Sequence, residues 1–102
     1  MSKATQAYDY EAVTVSNTAI GCTAAKLTFT PTLGVARKAH EIHVTIETDS
    51  VRYRFDGGTP TATVGHLATA GTVIAIKGPH NLARFLMIRT NTDASAKITY
   101  SY

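Results

Sequence analysis

Four histidines, His40, His43, His66 and His80, are the side chains of this sequence best suited to hold a metal ion. His40 and His43 stand three apart on an expected strand, where successive side chains alternate, so they point to opposite faces. Strand ligands that share an ion need an even spacing. His66 and His80 fall in separate loops, and no HxH, CxxC or HExxH spacing occurs. The histidines are therefore expected to be structural or surface groups, with no metal and no cofactor. Cys22 would need an orienting base to act as a nucleophile, and the run GCTAAK supplies none. A lone cysteine is more often a small buried hydrophobe. Glu41, Glu47, Asp49, Asp56 and Asp93 are the main carboxylates past the first strand, and a glycosidase needs two of them across a cleft. Asp56 and Asp93 precede turn residues, where carboxylates cap backbone N–H groups. Gly57-Gly58 lacks the lysine and helix of a phosphate loop. No catalytic residue is expected, and the chain is not expected to be an enzyme.

Tyrosine is the more informative residue type. Tyr8, Tyr10, Tyr100 and Tyr102 alternate near the two ends of the chain, so the two segments either pair as neighbouring strands or present an adhesive face. With Arg52 and Arg54 they are the candidate interface residues.

The elements that must position these groups are strands. The 102 residues suit one domain with a modest core, and Thr, Val, Ile and Tyr favour pleated surfaces. The organising stretch is HVTIETDSVRYRFD, residues 43–56, read as a hairpin turning at Asp49-Ser50. In that register Ile46 faces Tyr53 and Val44 faces Phe55, while Glu47 faces Arg52, Thr45 faces Arg54 and His43 faces Asp56. A slip of one residue would bury both arginines. Further strands are expected near Tyr8–Val15, with a phase shift at Glu11-Ala12, and over Lys26–Thr30, ended by Pro31. Thr72–Lys77 should carry Ile74 and Ile76 inward. Ala83–Thr90 is apolar on both faces and reads as a central strand buried on both sides. Ala96–Tyr102 alternates cleanly. His66–Gly71 reads as irregular, and 61–65 as an edge strand or loop. The expectation is an all-β chain: a single-domain antiparallel β-sandwich of seven to eight strands, jelly-roll or immunoglobulin-like, spanning 11–102 behind a flexible arm, 1–10.

Net charge is +3, and the ten Lys and Arg are scattered. Nucleic-acid binders cluster such charges or interleave them with aromatics, so nucleic acid is not an expected partner. One cysteine rules out an intrachain disulfide, and MSKATQAYDY has no apolar core of a secretion signal. No apolar run reaches membrane-spanning length. Synthesis in the cytoplasm and no membrane contact are expected.

One block resembles a known group. Arg52-Tyr53-Arg54, Asp56-Gly57, Thr59–Thr63 and Gly65-His66, then Ala83-Arg84-Phe85 and Ile88-Arg89 with a tyrosine-ended last strand, are similar to small structural proteins of tailed-bacteriophage virions. The resemblance covers residues 40–102. It implies a non-enzymatic virion component that binds the major capsid protein or another virion protein. A capsid decoration (cement) protein comes first, and a tail or head-vertex accessory protein or a carbohydrate- or receptor-binding module are the alternatives. It also implies a homo-oligomer, with trimers at local three-fold axes as one form. The arm is expected to contact a neighbour or the shell.

Overall fold

Ile42, Val44 and Ile46 alternate with His43, Thr45 and Glu47, and the chain is a strand there, with the three aliphatics fully buried. Each such burial contributes about 1.5–3 kcal/mol. The computed structural model describes residues 6–29, 34 and 36–102. Among them lie ten strands: β1 (Ala7–Val15), β2 (Ile20–Gly21), β3 (Thr28–Phe29), β4 (Arg37–Lys38), β5 (Glu41–Glu47), β6 (Val51–Arg54), β7 (His66–Ala68), β8 (Val73–Lys77), β9 (Leu86–Arg89) and β10 (Ala94–Ser101). A 3-10 turn, Ala24–Leu27, precedes β3, and one short helix, α1 (Pro79–Arg84), precedes β9. The described chain is thus mostly β, and every ladder is antiparallel.

Sheet A has the order β1-β10-β5-β8, and sheet B the order β2-β9-β6-β7. A two-stranded ribbon, β3-β4, stands apart. Pairing is nested: β1 with β10, β2 with β9, β5 with β8 and β6 with β7. The inward residues of both sheets meet in one core, with Val15, Ile42, Ile98 and Tyr100 from sheet A and Val51, Ala68 and Met87 from sheet B. Phe85 and Leu82, just before β9 and from α1, close it. β2 approaches β9 so closely that a Cβ on Gly21 would lie 2.2 Å from the Phe85 carbonyl oxygen. Only glycine fits there.

The hairpin expected over 43–56 does not form. β5 lies in sheet A and β6 in sheet B, so the turn at 48–50 carries the chain across the core from one sheet to the other. Ile46 pairs with Ala96, Val44 with Ile98 and Ile74, and Tyr53 with Met87 and His66. The inward alternation survives because an arch buries the same odd and even positions as a hairpin. Val51 is buried, and Tyr53 and Phe55 pack against the core. Asp49-Ser50 also lacks the Asn-Gly or Asp-Gly that a two-residue hairpin favours. Thr48 instead takes φ 79°, and the arch is pinned from below. The Asp49 carboxylate accepts from the Thr92 N–H at 3.0 Å and the Thr92 hydroxyl at 2.6 Å. The expected cross-strand charge pairs are replaced as well. Glu47 meets Lys97 at 2.7 Å, Arg54 meets Asp56 at 2.7 Å, and His43 meets Glu41 at 3.4 Å.

Other boundaries differ from expectation. The arm expected over 1–10 is shorter on its chain side, because Ala7–Tyr10 already pairs with β10; residues 1–5 lie outside the described residues. The irregularity of β1 falls between Ala7 and Asp9, earlier than Glu11-Ala12. Lys26 and Leu27 belong to the 3-10 turn, leaving two residues for β3, and the stop at Pro31 lies outside the described residues. Residues 79–84 are helical, with Pro79 in the first turn, where its missing N–H costs nothing. The expected strand over 83–90 therefore shrinks to β9. His66–Ala68 is a strand, whereas 61–65 is a bend closed by a Thr61–Val64 backbone pair.

Candidate interaction surfaces

The chain-end tyrosines do pair as neighbours, on β1 and β10, but three of them are used internally. Tyr100 is fully buried. Its hydroxyl donates to the Glu11 carboxylate, which also accepts from the Thr23 hydroxyl at 2.7 Å and the Thr23 N–H at 3.3 Å. Burial first, and the hydrogen bond to Glu11 second, push the Tyr100 phenol far above its ordinary value. Burial also works to raise the Glu11 carboxyl, but the bonds from Tyr100 and Thr23 outweigh it and hold the group low. Beside them, burial pushes the Cys22 thiol up to about 11. It is a neutral thiol at physiological pH, not a primed nucleophile.

Tyr8 donates to the Lys26 carbonyl, and its ring lies 5.0 Å from Phe29 and 5.8 Å from Tyr102. Phe29 stacks on Tyr102 at 5.2 Å, and the Arg37 guanidinium covers that ring at 5.0 Å. These aromatics tie the β3-β4 ribbon to the end of sheet A. Lys26 adds an ion pair with Asp9 at 2.9 Å. Tyr10 alone turns outward, 53% exposed. Of the four candidate tyrosines, Tyr10 is available to a partner and Tyr100 is not.

The outward face of sheet A carries three rows across its four strands: Tyr10, Thr99, His43, Ala75; Ala12, Lys97, Thr45, Val73; and, at one end, Ala7, Ser101, Glu41, Lys77. Small and hydroxyl side chains dominate between the exposed Tyr10 and Val73; Lys97 pairs with Glu47, His43 lies 3.4 Å from Glu41, and Lys77 stands exposed at the β8 end.

Sheet B differs. Its outward rows are Leu67, Arg52, Ile88 and, one step along, Arg54, Leu86. Leu67 is 52% exposed, and Leu86 and Ile88 are half-buried. Arg52 donates to the Gly65 carbonyl at 3.1 Å, while its Nε is buried without a partner between the aliphatics. Arg54 grips Asp56 through two bonds, 3.0 and 2.7 Å. The Arg54 bonds, then the Gly58 N–H at 3.2 Å, hold the Asp56 carboxyl well below the usual carboxylate range. Arg84 donates to the Asp56 carbonyl at 3.3 Å. Open depressions flank Asp56 on both sides. One, of about 420 Å³, is lined by Arg54, Phe55, Val64 and His66; the other, of about 570 Å³, by Gly57, Ala83, Arg84 and Leu86.

Asp56, held by Arg54 and the Gly58 N–H, is an anion engaged as an acceptor between the two depressions. Arginine is enriched at protein contact surfaces, and the flanking aliphatics add apolar area beside it. Sequence reasoning found Arg52 and Arg54 but missed Leu67, Leu86 and Ile88. The two-faced apolar run Phe85–Ile88 was the signal, and it was read as double burial. All four histidines are exposed; His66 rests against Tyr53 at 5.3 Å, and His40 bonds the Lys38 carbonyl. Among the described residues no three His, Cys, Asp or Glu side chains gather as a metal site requires. Nor, among those residues, is any helix long and apolar enough to cross a membrane.

Compared with protein-family models, curated proteins and solved structures, the chain finds no match in any of the three.

Proposed function

We propose that this chain is a non-enzymatic virion structural protein: a jelly-roll β-sandwich that decorates an assembled capsid and docks on the major capsid protein through the outer face of sheet B. The strand order is the observation that carries the reading. β1-β10-β5-β8 facing β2-β9-β6-β7, with four nested pairs, supports reading the chain as an eight-stranded jelly roll with the β3-β4 ribbon as an insertion. An immunoglobulin-like sandwich groups strands ABED against CFG and does not nest its first strand with its last. Jelly rolls recur in viral capsid and lectin domains, and the resemblance of residues 40–102 to phage virion proteins points to the capsid side of that pair. Leu67, Leu86 and Ile88 supply apolar contact, and Arg54 and Arg84 orient a partner. Repetition over a symmetric shell then converts modest contacts into stable occupancy.

Quantitative mass spectrometry of purified particles tests this. On the order of hundreds of copies per particle support decoration, and about a dozen or fewer support a tail or vertex part. Absence from particles, with saturable binding on a glycan array, would replace the proposal with a lectin-like role.

A further inference from the structure

We propose that a second copy of this chain adds its β1 antiparallel to the outer edge of β1, making one eight-stranded sheet from two copies of sheet A. The four strands at the sheet edges are unequal. β2 has two residues, β7 three and β8 five, whereas β1 has nine. Among the described residues the only ladder of β1 is with β10, so its other edge presents a row of N–H and C=O groups. Edges of that length are normally guarded by lysine or proline, by bulges, or by inward-pointing charge. β8 ends in the exposed Lys77, but AYDYEAVTV contains no Lys, Arg or Pro. A bulge at Ala7/Asp9 and the inward-facing Glu11 guard its first half, but Asp9 is paired with Lys26 and Glu11 with Thr23 and Tyr100, and residues 12–15 carry no bulge, proline or charge.

A second copy fits because one register is self-complementary. A continuous sheet with both cores on the same side requires opposed residue numbers whose sum is even, since opposite residues share a face. Centring the two-fold on Glu11 opposes two glutamates, and centring it on Tyr10 opposes Asp9 to Glu11; both place like charges together. Centring it on Val13 or on Ala12 avoids this, and Ala12 keeps the longer pairing, residues 9–15 of one copy against 15–9 of the other. Tyr10 then faces Thr14 of the second copy, Glu11 faces Val13, and Ala12 faces itself. Tyr10, Ala12 and Thr14 are all exposed in the single chain, so the pairing gives the 53%-exposed Tyr10 ring a neighbour. Such an isologous contact closes at two copies and does not propagate into a fibre. It uses β1, not sheet B, and so stands whether or not the capsid reading holds.

The test is sedimentation equilibrium of the full chain, with cysteine cross-linking in a Cys22→Ser background. A concentration-dependent dimer is expected. Ala12→Cys should link two copies under mild oxidation, and Val73→Cys on the β8 edge should not. Tyr10→Lys with Thr14→Lys should weaken the dimer about tenfold or more while leaving the circular dichroism of the chain unchanged. A chain that stays monomeric at every concentration, or a dimer that links through Val73 and not Ala12, overturns the proposal.

Discussion

Across sheet A the row Ala12, Lys97, Thr45, Val73 sets one cation among small and hydroxyl side chains, and Glu47 neutralises it. Across sheet B the row Leu67, Arg52, Ile88 sets a cation between two aliphatics. Both rows obey the same alternation over the same core, so the difference lies in outward residues that folding leaves free. Sheet A leaves Tyr10 and Val73 exposed on its two outermost strands and sets the Lys97–Glu47 pair between them. Sheet B keeps apolar area in water and anchors its arginines on backbone carbonyls and on Asp56. Among the described residues, only sheet B sets a cation directly between two aliphatics in a single row.

The contrast can be broken in four ways. Gly21→Ala should cost about 2–3 kcal/mol in chemical denaturation, because the added methyl collides with backbone where β2 meets β9. Ala75→Ser on the outward face of sheet A should stay within about 0.5 kcal/mol. Equal losses would mean that sheet B is no more tightly built than sheet A.

Next in size, Leu67→Asp should weaken the proposed capsid binding about tenfold or more with an unchanged melting temperature, while Thr99→Asp on sheet A leaves it intact. Co-sedimentation with assembled shells measures both, and the reverse pattern would move the docking surface to sheet A.

The third concerns acid. Glu11, Asp9, Asp49 and Asp56 all have folded carboxyls held below their ordinary values. At low pH the unfolded chain therefore binds more protons than the folded one, and stability falls as pH drops below about 4.5. Glu11 is half-buried against Tyr100 and the three aspartates lie open to solvent screening. Glu11→Gln should accordingly flatten the acid limb of a pH–stability curve more than Asp56→Asn does. The smallest effect belongs to the paired charges of sheet A. Lys97→Ala should change stability by less than about 0.5 kcal/mol in thermal melts, and a larger loss would show those pairs to be structural.

Which residues point inward was legible from the chain, and which strands lie side by side was not. Ile42, Val44, Ile46, Ile74, Ile76 and Ile98 are buried as their spacing requires. Yet a strand with one apolar face buries it equally well in a hairpin or in an arch, so 43–56 could be read either way. Nothing local distinguishes them except turn chemistry, and Asp49-Ser50, with no glycine, was the only hint. Arg52 and Arg54 were visible as outward because their parity opposes Val51 and Tyr53. Tyr100 was misjudged because a tyrosine inward at the end of a sheet looks, in sequence, like one at its rim. Its burial depends on Glu11 and Thr23, 89 and 77 residues away.

The place of β10 between β1 and β5 has a consequence for biosynthesis. Until residues 94–101 leave the ribosome, β1 has no ladder and β5 has only β8, so sheet A cannot assemble piecemeal as the chain emerges. Acquisition of the native state must wait for a late, long-range closure, a slow step that leaves the nine residues of β1 open to mispairing in the meantime.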